Sequence, residues 1–289
     1  LFRSIRKNLE RVRNIADREE YMKTLASLAR RGVDCAMFAI YCDADLTDAS
    51  QNLVQTYQGG LGLGNKDYYL NNDEATVKIR EAYKNYIKKL FQMVDYEESV
   101  AEKKMENIFN LEMQIARASY SKTELRDVPN NFHKMSFADF KQEYKGVDWD
   151  SVFDGLGYPK FEQISVGQPS HLKEVCKIYA NAPLEVLKDY AERDVISGAT
   201  SFLSDDFRAA AFEFSKVLSG AEEDRPRWKR AVSAVNGVLG MPVGKLYVEK
   251  YFPESSKERM LQLVENLKVA LRQRIEELTW MGDSTPLST

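Results

Sequence analysis

Apolar residues recur at helical spacing along most of this chain, and one early stretch departs from that rhythm. Ile5, Leu9 and Val12, then Met22, Leu25 and Leu28, fall three or four positions apart. They predict two short helices, over about residues 1–15 and 17–31, with Gly32 as a C-terminal stop. Residues 33–44 are then nearly continuously apolar, which predicts a strand buried on both faces. Residues 46–50 carry turn chemistry, and 52–58 read as the returning strand of a hairpin. Helical spacing resumes beyond a glycine-rich segment. Asp73 is suited to cap a helix whose Val77, Tyr83, Ile87, Leu90, Phe91 and Val94 share one face. Val100, Ile108, Leu111, Ile115 and Ala118 predict a second helix, over about 97–121. Pro129-Asn130-Asn131 ends that pattern, Ser136 or Asp139 opens a short helix, and 147–169 reads as loop. Long helices are then predicted over 170–182, 183–219 (broken near Gly198), 225–250 and 255–281. Pro183, Pro226 and Pro253 sit at or just before helix starts, where a missing N–H costs nothing. Pro242 falls inside a helical pattern and predicts a kink or a split there. The fold class expected is mainly α, a multi-helix lobe with one small β-hairpin near the N-terminus. The expected division separates 1–64, helices plus hairpin, from a helical 65–289.

Composition narrows the function classes. At 289 residues and 44% hydrophobic, the chain can bury a core in one large or two modest domains. The 41 basic and 44 acidic residues are dispersed, so there is no basic face of the kind a nucleic-acid partner requires. No apolar run approaches the ~20 residues of a membrane span, and Leu1-Phe2-Arg3-Ser4 does not read as a signal peptide. Cys35, Cys42 and Cys176 are odd in number and lack Cys-x-x-Cys spacing, which argues against a disulfide framework.

The segment Gly59-Gly60-Leu61-Gly62-Leu63-Gly64 is the most distinctive feature. A cluster of glycines marks backbone passing where no side chain fits. It does not form a phosphate cradle, because Asp67 occupies the third position of the Gly-x-Gly-x-x-Gly spacing counted from Gly62 and Gly64. Continued through Asn65-Lys66-Asp67-Tyr68-Tyr69-Leu70, the run resembles a Leu-Gly-Leu-Pro-x-Arg-Asp-Tyr-Tyr signature. That signature belongs to the neprilysin and endothelin-converting enzyme family of zinc endopeptidases, which includes bacterial PepO-type oligopeptidases. Gly64 stands where proline is usual and Lys66 where arginine is usual. Asn131-Phe132-His133-Lys134-Met135-Ser136-Phe137 is similar to the family's Asn-Lys-Met-Thr/Ser step into a helix, with one residue inserted. Pro226-Arg227-Trp228-Lys229-Arg230, Val235-Asn236, Val243-Gly244-Lys245-Leu246-Tyr247-Val248 and Phe252 resemble the Trp-Arg-Arg-Cys…Gly-x-Leu-Tyr-Val-x-x-x-Phe block, and Leu278-Thr279-Trp280-Met281 its closing Leu-x-Trp-Met. Ala231 replaces the cysteine of the animal members, which fits a bacterial enzyme.

The resemblance implies a zinc site made by a His-Glu-x-x-His helix and a downstream glutamate, whose paired imidazoles share a helix face. This chain has only His133 and His171, neither followed by Glu, so no catalytic residue and no metal ligand is assigned. Both histidines read as surface or capping residues. Adjacent helical residues such as Asp205 and Asp206 point about 100° apart and cannot serve one substrate atom as an acid–base pair. An N-cap before Phe207 is expected of them. Glu222-Glu223-Asp224 reads as a solvated cluster favouring a helix dipole. Phe202, Phe207, Phe212 and Phe214 read as core and Tyr68-Tyr69 as packing with bonded hydroxyls. Trp228 beside Arg227, Lys229 and Arg230 is suited to an acidic ligand, whereas the resemblance implies that it packs one helix against its neighbours.

The resemblance thus implies the helical, substrate-gating region of a neprilysin-like zinc metalloendopeptidase acting on short peptides. No cofactor is expected in this chain, and zinc only in the full-length enzyme. Its partner would be the catalytic zinc domain of the same polypeptide, with no nucleic acid and no membrane span. An extracytoplasmic location is favoured by the family, with a cytoplasmic one as the alternative. The competing reading is a stand-alone helical binding or scaffold protein derived from that lobe.

Overall fold

The computed structural model describes residues 3–278. The chain divides into two compact units, one ending at Glu222 and one beginning at Glu223.

The first unit opens with α1 (Arg6–Arg13) and α2 (Arg18–Ala29). The latter starts at the N-cap Asp17, whose carboxylate accepts the Glu20 N–H at 2.8 Å, while the Ala16 N–H just before it donates to the Glu20 carboxylate at 2.7 Å. Next come β1 (Phe38–Asp45) and β2 (Asp48–Gln58), then the short α3 (Asp67–Leu70). The expected cap at Asp73 is present: its carboxylate accepts the Thr76 N–H at 2.9 Å and opens α4 (Glu74–Gln92). It is followed by α5 (Glu98–Ala118), β3 (His133–Ser136), α6 (Phe137–Glu143) capped by Ser136, and α7 (Trp149–Leu156). Then β4 (Gln163–Val166), α8 (Pro169–Asn181), α9 (Leu184–Ala199) and α10 (Asp205–Ser219) complete the unit. The break expected near Gly198 lies between α9 and α10. Gly157 (φ 80°) and Gly220 (φ 69°) close α7 and α10 in the left-handed conformation glycine tolerates.

The fold is mainly α, and its sheet is larger than a hairpin. Four strands lie in the order β1-β2-β4-β3, with β2 and β4 parallel and the other pairs antiparallel. Strands β3 and β4 have four residues each, too short to show a period of two, so 133–136 reads as a helix entry and 163–166 as loop. The strand expected over 33–44 begins only at Phe38, and it is not buried on both faces: Tyr41, Cys42 and Asp43 are exposed. It is an edge strand paired only with β2. Phe38 is driven deep, 5.3 Å from the Trp149 ring and 6.2 Å from that of Tyr179, and Asp45 at the other end of the strand is also buried. Val77 and Val100, expected inward, are exposed at the first turns of α4 and α5.

The second unit holds α11 (Arg227–Tyr251) and α12 (Glu254–Glu276). Pro242 breaks the regularity of α11 as expected: Leu239, three residues before it, leaves the helical region at φ −120°, ψ 28°. The Leu-x-Trp-Met segment beyond Leu278 and the end of the helix expected to reach residue 281 lie outside the described residues.

Candidate functional site

The glycine run is the best-defined polar centre of the first unit. A Cβ on Gly60 (φ 80°) would meet the Met37 Cα at 2.8 Å, and one on Gly62 would meet the Tyr83 hydroxyl at 1.8 Å and Arg193 Nη1 at 2.6 Å. The backbone passes where no side chain fits, as its sequence implies. What it passes over is Glu112, fully buried on α5. Glu112 Oε1 accepts the Gly62 N–H (3.1 Å), the Tyr83 hydroxyl (3.0 Å) and Arg193 Nη1 (2.8 Å), and Oε2 accepts the Tyr69 hydroxyl (2.8 Å). Tyr69 Oη in turn accepts the Leu63 N–H at 3.1 Å. Burial holds the Tyr69 and Tyr83 phenols far above their ordinary range, so both remain donors. One carboxylate thereby ties the run to α3, α4 and α9.

A second ionic group lies on the same helix, α9. Lys104 Nζ reaches Asp189 at 2.5 Å and Glu192 at 3.1 Å, and Arg13 Nε reaches Glu192 at 2.5 Å. Tyr96 and Asn107 donate to Glu192 and Asp189. Burial works against the charge on Lys104, but the two acids outweigh it and raise its pKa. Asp194, next to Arg193, is pushed up to about 7 by burial; Arg193 opposes the shift, and Glu112 and Asp34 add to it.

The residues singled out by sequence do not converge. His133 on β3 bonds the Val166 carbonyl through Nδ1 (2.9 Å). His171 is buried on α8 rather than at the surface, its Nε2 donating to the Gly59 carbonyl (3.1 Å), and burial lowers its pKa to about 4. Asp205 and Asp206 lie inside the first turn of α10, whose N-cap is Ser204, and Asp205 pairs with Arg208 at 3.2 Å. Of the four phenylalanines expected in the core, Phe207 is fully buried and Phe214 stacks on Tyr86 at 5.1 Å. Phe212 is half-buried and Phe202 is 81% exposed, on the turn between helices. Tyr69 is buried as expected, and Tyr68 is half-buried under Lys122. Among the described residues, no three His, Cys, Asp or Glu side chains group so as to hold a metal ion. The described residues therefore do not fit a zinc site.

Glu112 and Arg193 escaped the sequence reading, although Glu112 carried a signal. It falls four after Ile108 and three before Ile115, on the apolar stripe of its helix, where a charge requires a buried partner.

In the second unit, Asp224 pairs with Arg230 at 3.3 Å, and no acid occupies the first turn of α11. Trp228 is 65% exposed, with Lys229 Nζ 5.5 Å from its ring. Val232, Val235 and Leu239 continue from Trp228 at helical spacing. Met260, Val264, Leu267 and Leu271 do the same on α12, and all are exposed. Among the described residues, α11 is also the one helix long and apolar enough, by length and composition, to cross a membrane, where the sequence reading expected no span.

The sequence model of the N-terminal part of peptidase family M13 matches residues 2–286. Endothelin-converting enzyme 1 of Mus musculus is 27% identical over 274 residues, which is 93% of this chain and 36% of that protein. Endothelin-converting enzyme-like 1 of Rattus norvegicus is 27% identical over 255 residues, 33% of its length. The chain thus spans about a third of these relatives. Among solved structures, Mycobacterium tuberculosis zinc metalloprotease Zmp1 in complex with an inhibitor superposes with a TM-score of 0.90 at 32% identity, over 98% of this chain and 43% of that one. PepO of Lactobacillus rhamnosis shares the fold, with a TM-score of 0.80 at 17% identity, over 98% of this chain and 45% of its own.

Proposed function

The chain belongs to peptidase family M13, a family of zinc metallopeptidases, and from that membership we propose that it forms the helical, non-catalytic region of an enzyme that hydrolyses peptide bonds in short peptides. In this reading the helices wall a chamber that admits short peptides and excludes folded proteins, while a separate catalytic domain of the same polypeptide activates water at zinc. The hairpin within 1–64 extends the sheet of that catalytic domain through the open edge of β1, and 65–289 acts as the lid. An extracytoplasmic location, favoured by the family over a cytoplasmic one, is part of the proposal.

The observation that carries the reading is the apolar face of α11 and α12. Val238 and Met241 are 84% and 88% exposed, and exposed apolar stripes run over 228–239 on α11 and 260–271 on α12. Patches of this extent on a water-soluble protein mark contact with other protein. Asn236, Lys245 and Glu249 interrupt the apolar surface of α11, which favours a protein partner over lipid. The partner proposed is the catalytic domain. Metal analysis and a quenched-peptide assay test the proposal. This chain is expected to bind no stoichiometric zinc and to cleave nothing, and the longer polypeptide to do both. One equivalent of zinc, or cleavage by this chain alone, overturns it.

A further inference from the structure

Charge is balanced in one half of the α9 network and unbalanced in the other. Glu192 and Asp189 face two cations, Lys104 and Arg13. Glu112 and Asp194 share a single cation, the buried guanidinium of Arg193. The two carboxyls are not equivalent partners for it. Glu112 collects four well-directed donors from four segments of chain. Asp194 is the neighbour of Arg193 in sequence, and adjacent helical side chains diverge by about 100°. Its Oδ1 lies 2.8 Å from Arg193 Nε, yet that N–H makes no aligned hydrogen bond to any acceptor. Proximity without direction makes Asp194 the weaker claimant on the guanidinium.

Among the described residues, the surroundings add no second cation. The titratable groups whose fields reach Asp194 are Tyr21 on α2, Asp34 and Cys35 before β1, Tyr83 on α4, Glu112 on α5, and Tyr190 and Arg193 on α9. Burial holds the four that are phenol or thiol well above their ordinary ionisation ranges, so they stay neutral. Asp34 is a further acid. One cation thus faces two carboxyls, Glu112 fully buried and Asp194 18% exposed, while the exposed Asp34 adds its negative field to Asp194, an arrangement relieved by placing a proton on Asp194.

We propose that Glu112, Arg193 and Asp194 form a proton-controlled latch on the glycine run, in which Asp194 carries a proton that balances the cluster and release of that proton loosens the hold on residues 60–64. The path is short. Ionised Asp194 draws Arg193 away from Glu112, and Glu112 is the acceptor for the Gly62 N–H and for the Tyr69 hydroxyl that receives the Leu63 N–H. Burial raises the Asp194 carboxyl to about 7, which sets the range in which the latch opens. The inference stands on this chain's own network and does not depend on the proposed peptidase role.

The sign of the linkage is fixed. A carboxyl held higher in the folded than in the unfolded chain favours folding at low pH, and the contribution is lost as pH rises toward the folded value. Chemical unfolding of the 289-residue chain and of its Asp194→Asn variant, compared from pH 5 to pH 8, isolates this term from other titrating groups. The folding equilibrium constant of the parent, divided by that of the variant, should fall by up to about tenfold per pH unit between pH 5 and 6.5 and level off above 7. A flat ratio overturns the proposal. Should the variant fail to fold, the Asp194 carboxyl carbon can be titrated by NMR in the parent. A midpoint near 7 is expected, lowered in Asp34→Asn, and a midpoint below 5 overturns it. Hydrogen exchange tests the latch itself. Protection of the Gly62 amide, relative to the Ile108 amide in mid-α5, should drop several-fold as Asp194 ionises; a constant ratio means there is no latch.

Discussion

At the scale of single residues, the glycines of one run are not equivalent, and the structure separates them. A methyl group on Gly62 would collide with the Tyr83 hydroxyl and Arg193 Nη1, and neither can retreat without abandoning the buried carboxylate of Glu112. Gly62→Ala should therefore cost about 3 kcal/mol or more, the range of overpacking joined to a disturbed buried ion pair. Nothing lies within 4 Å of a Cβ on Gly64, where only the left-handed φ of 72° opposes a side chain. Gly64→Ala should cost about 1–2 kcal/mol, the price of that conformation alone. Gly64→Pro, which restores the residue usual in the related signature, should be worse than alanine, because proline fixes φ near −65°. Urea unfolding of the three variants checks the order. His171 makes a separate demand. Burial lowers its pKa to about 4, so the unfolded chain binds the proton first as pH falls. Its contribution is complete above about 6.5 and lost between there and 4, amounting to about 3 kcal/mol. Titrated stability should show that loss, and His171→Gln should remove it.

Among elements, legibility followed length. The helices α4, α5 and α8 to α12 each span several turns, and the starts of α4, α9, α11 and α12 were written in Asp73, Pro183, Pro226 and Pro253. Four-residue strands cannot show a period of two, so β3 and β4 were invisible, and with them the parallel pairing of β2 with β4. Continuous apolar sequence in 33–44 suggested two-sided burial, whereas the structure makes most of that surface an edge. Val33 and Met37 serve the approach to the strand, and the strand proper begins at Phe38. The polar centre was half legible. The glycines announced tight passage, but the Glu112–Arg193 pairing joins helices 81 positions apart in sequence, a distance no local pattern reports. Trp228, read from the sequence as packing, and the apolar stripes on α11 and α12 are exposed. Replacing Val238, Met241 and Leu267 together by serine should cut binding of a hydrophobic dye and self-association of the isolated chain. Its denaturation midpoint should shift by no more than about 0.5 kcal/mol equivalent per site, as for exposed positions generally.

For the molecule as a whole, the division at Glu222 and Glu223 makes a physical claim about where stability resides. Among the described residues every buried side chain, apolar or polar, lies between Ile5 and Phe207, and neither α11 nor α12 contains one. The first unit thus builds its core, its sheet and its ionic network from its own residues. The helices of the second have little beyond local hydrogen bonds and (i, i+3) ion pairs such as Glu254–Lys257 and Glu265–Lys268, each worth only a few tenths of a kcal/mol. Isolated helices of this length are marginal in water unless an apolar face is covered. Residues 1–222 should accordingly fold without the remainder, with a thermal midpoint within a few degrees of that of the 289-residue chain, while 223–289 expressed separately should show little cooperative unfolding. Limited chymotrypsin digestion should cut first at Trp228, Leu246, Tyr247 or Tyr251, and leave a stable fragment ending near residue 222. Loss of cooperative folding in 1–222 would mean that the two helices complete the core of the first unit. Survival of the fragment would instead leave their apolar faces available to the catalytic domain proposed as their partner.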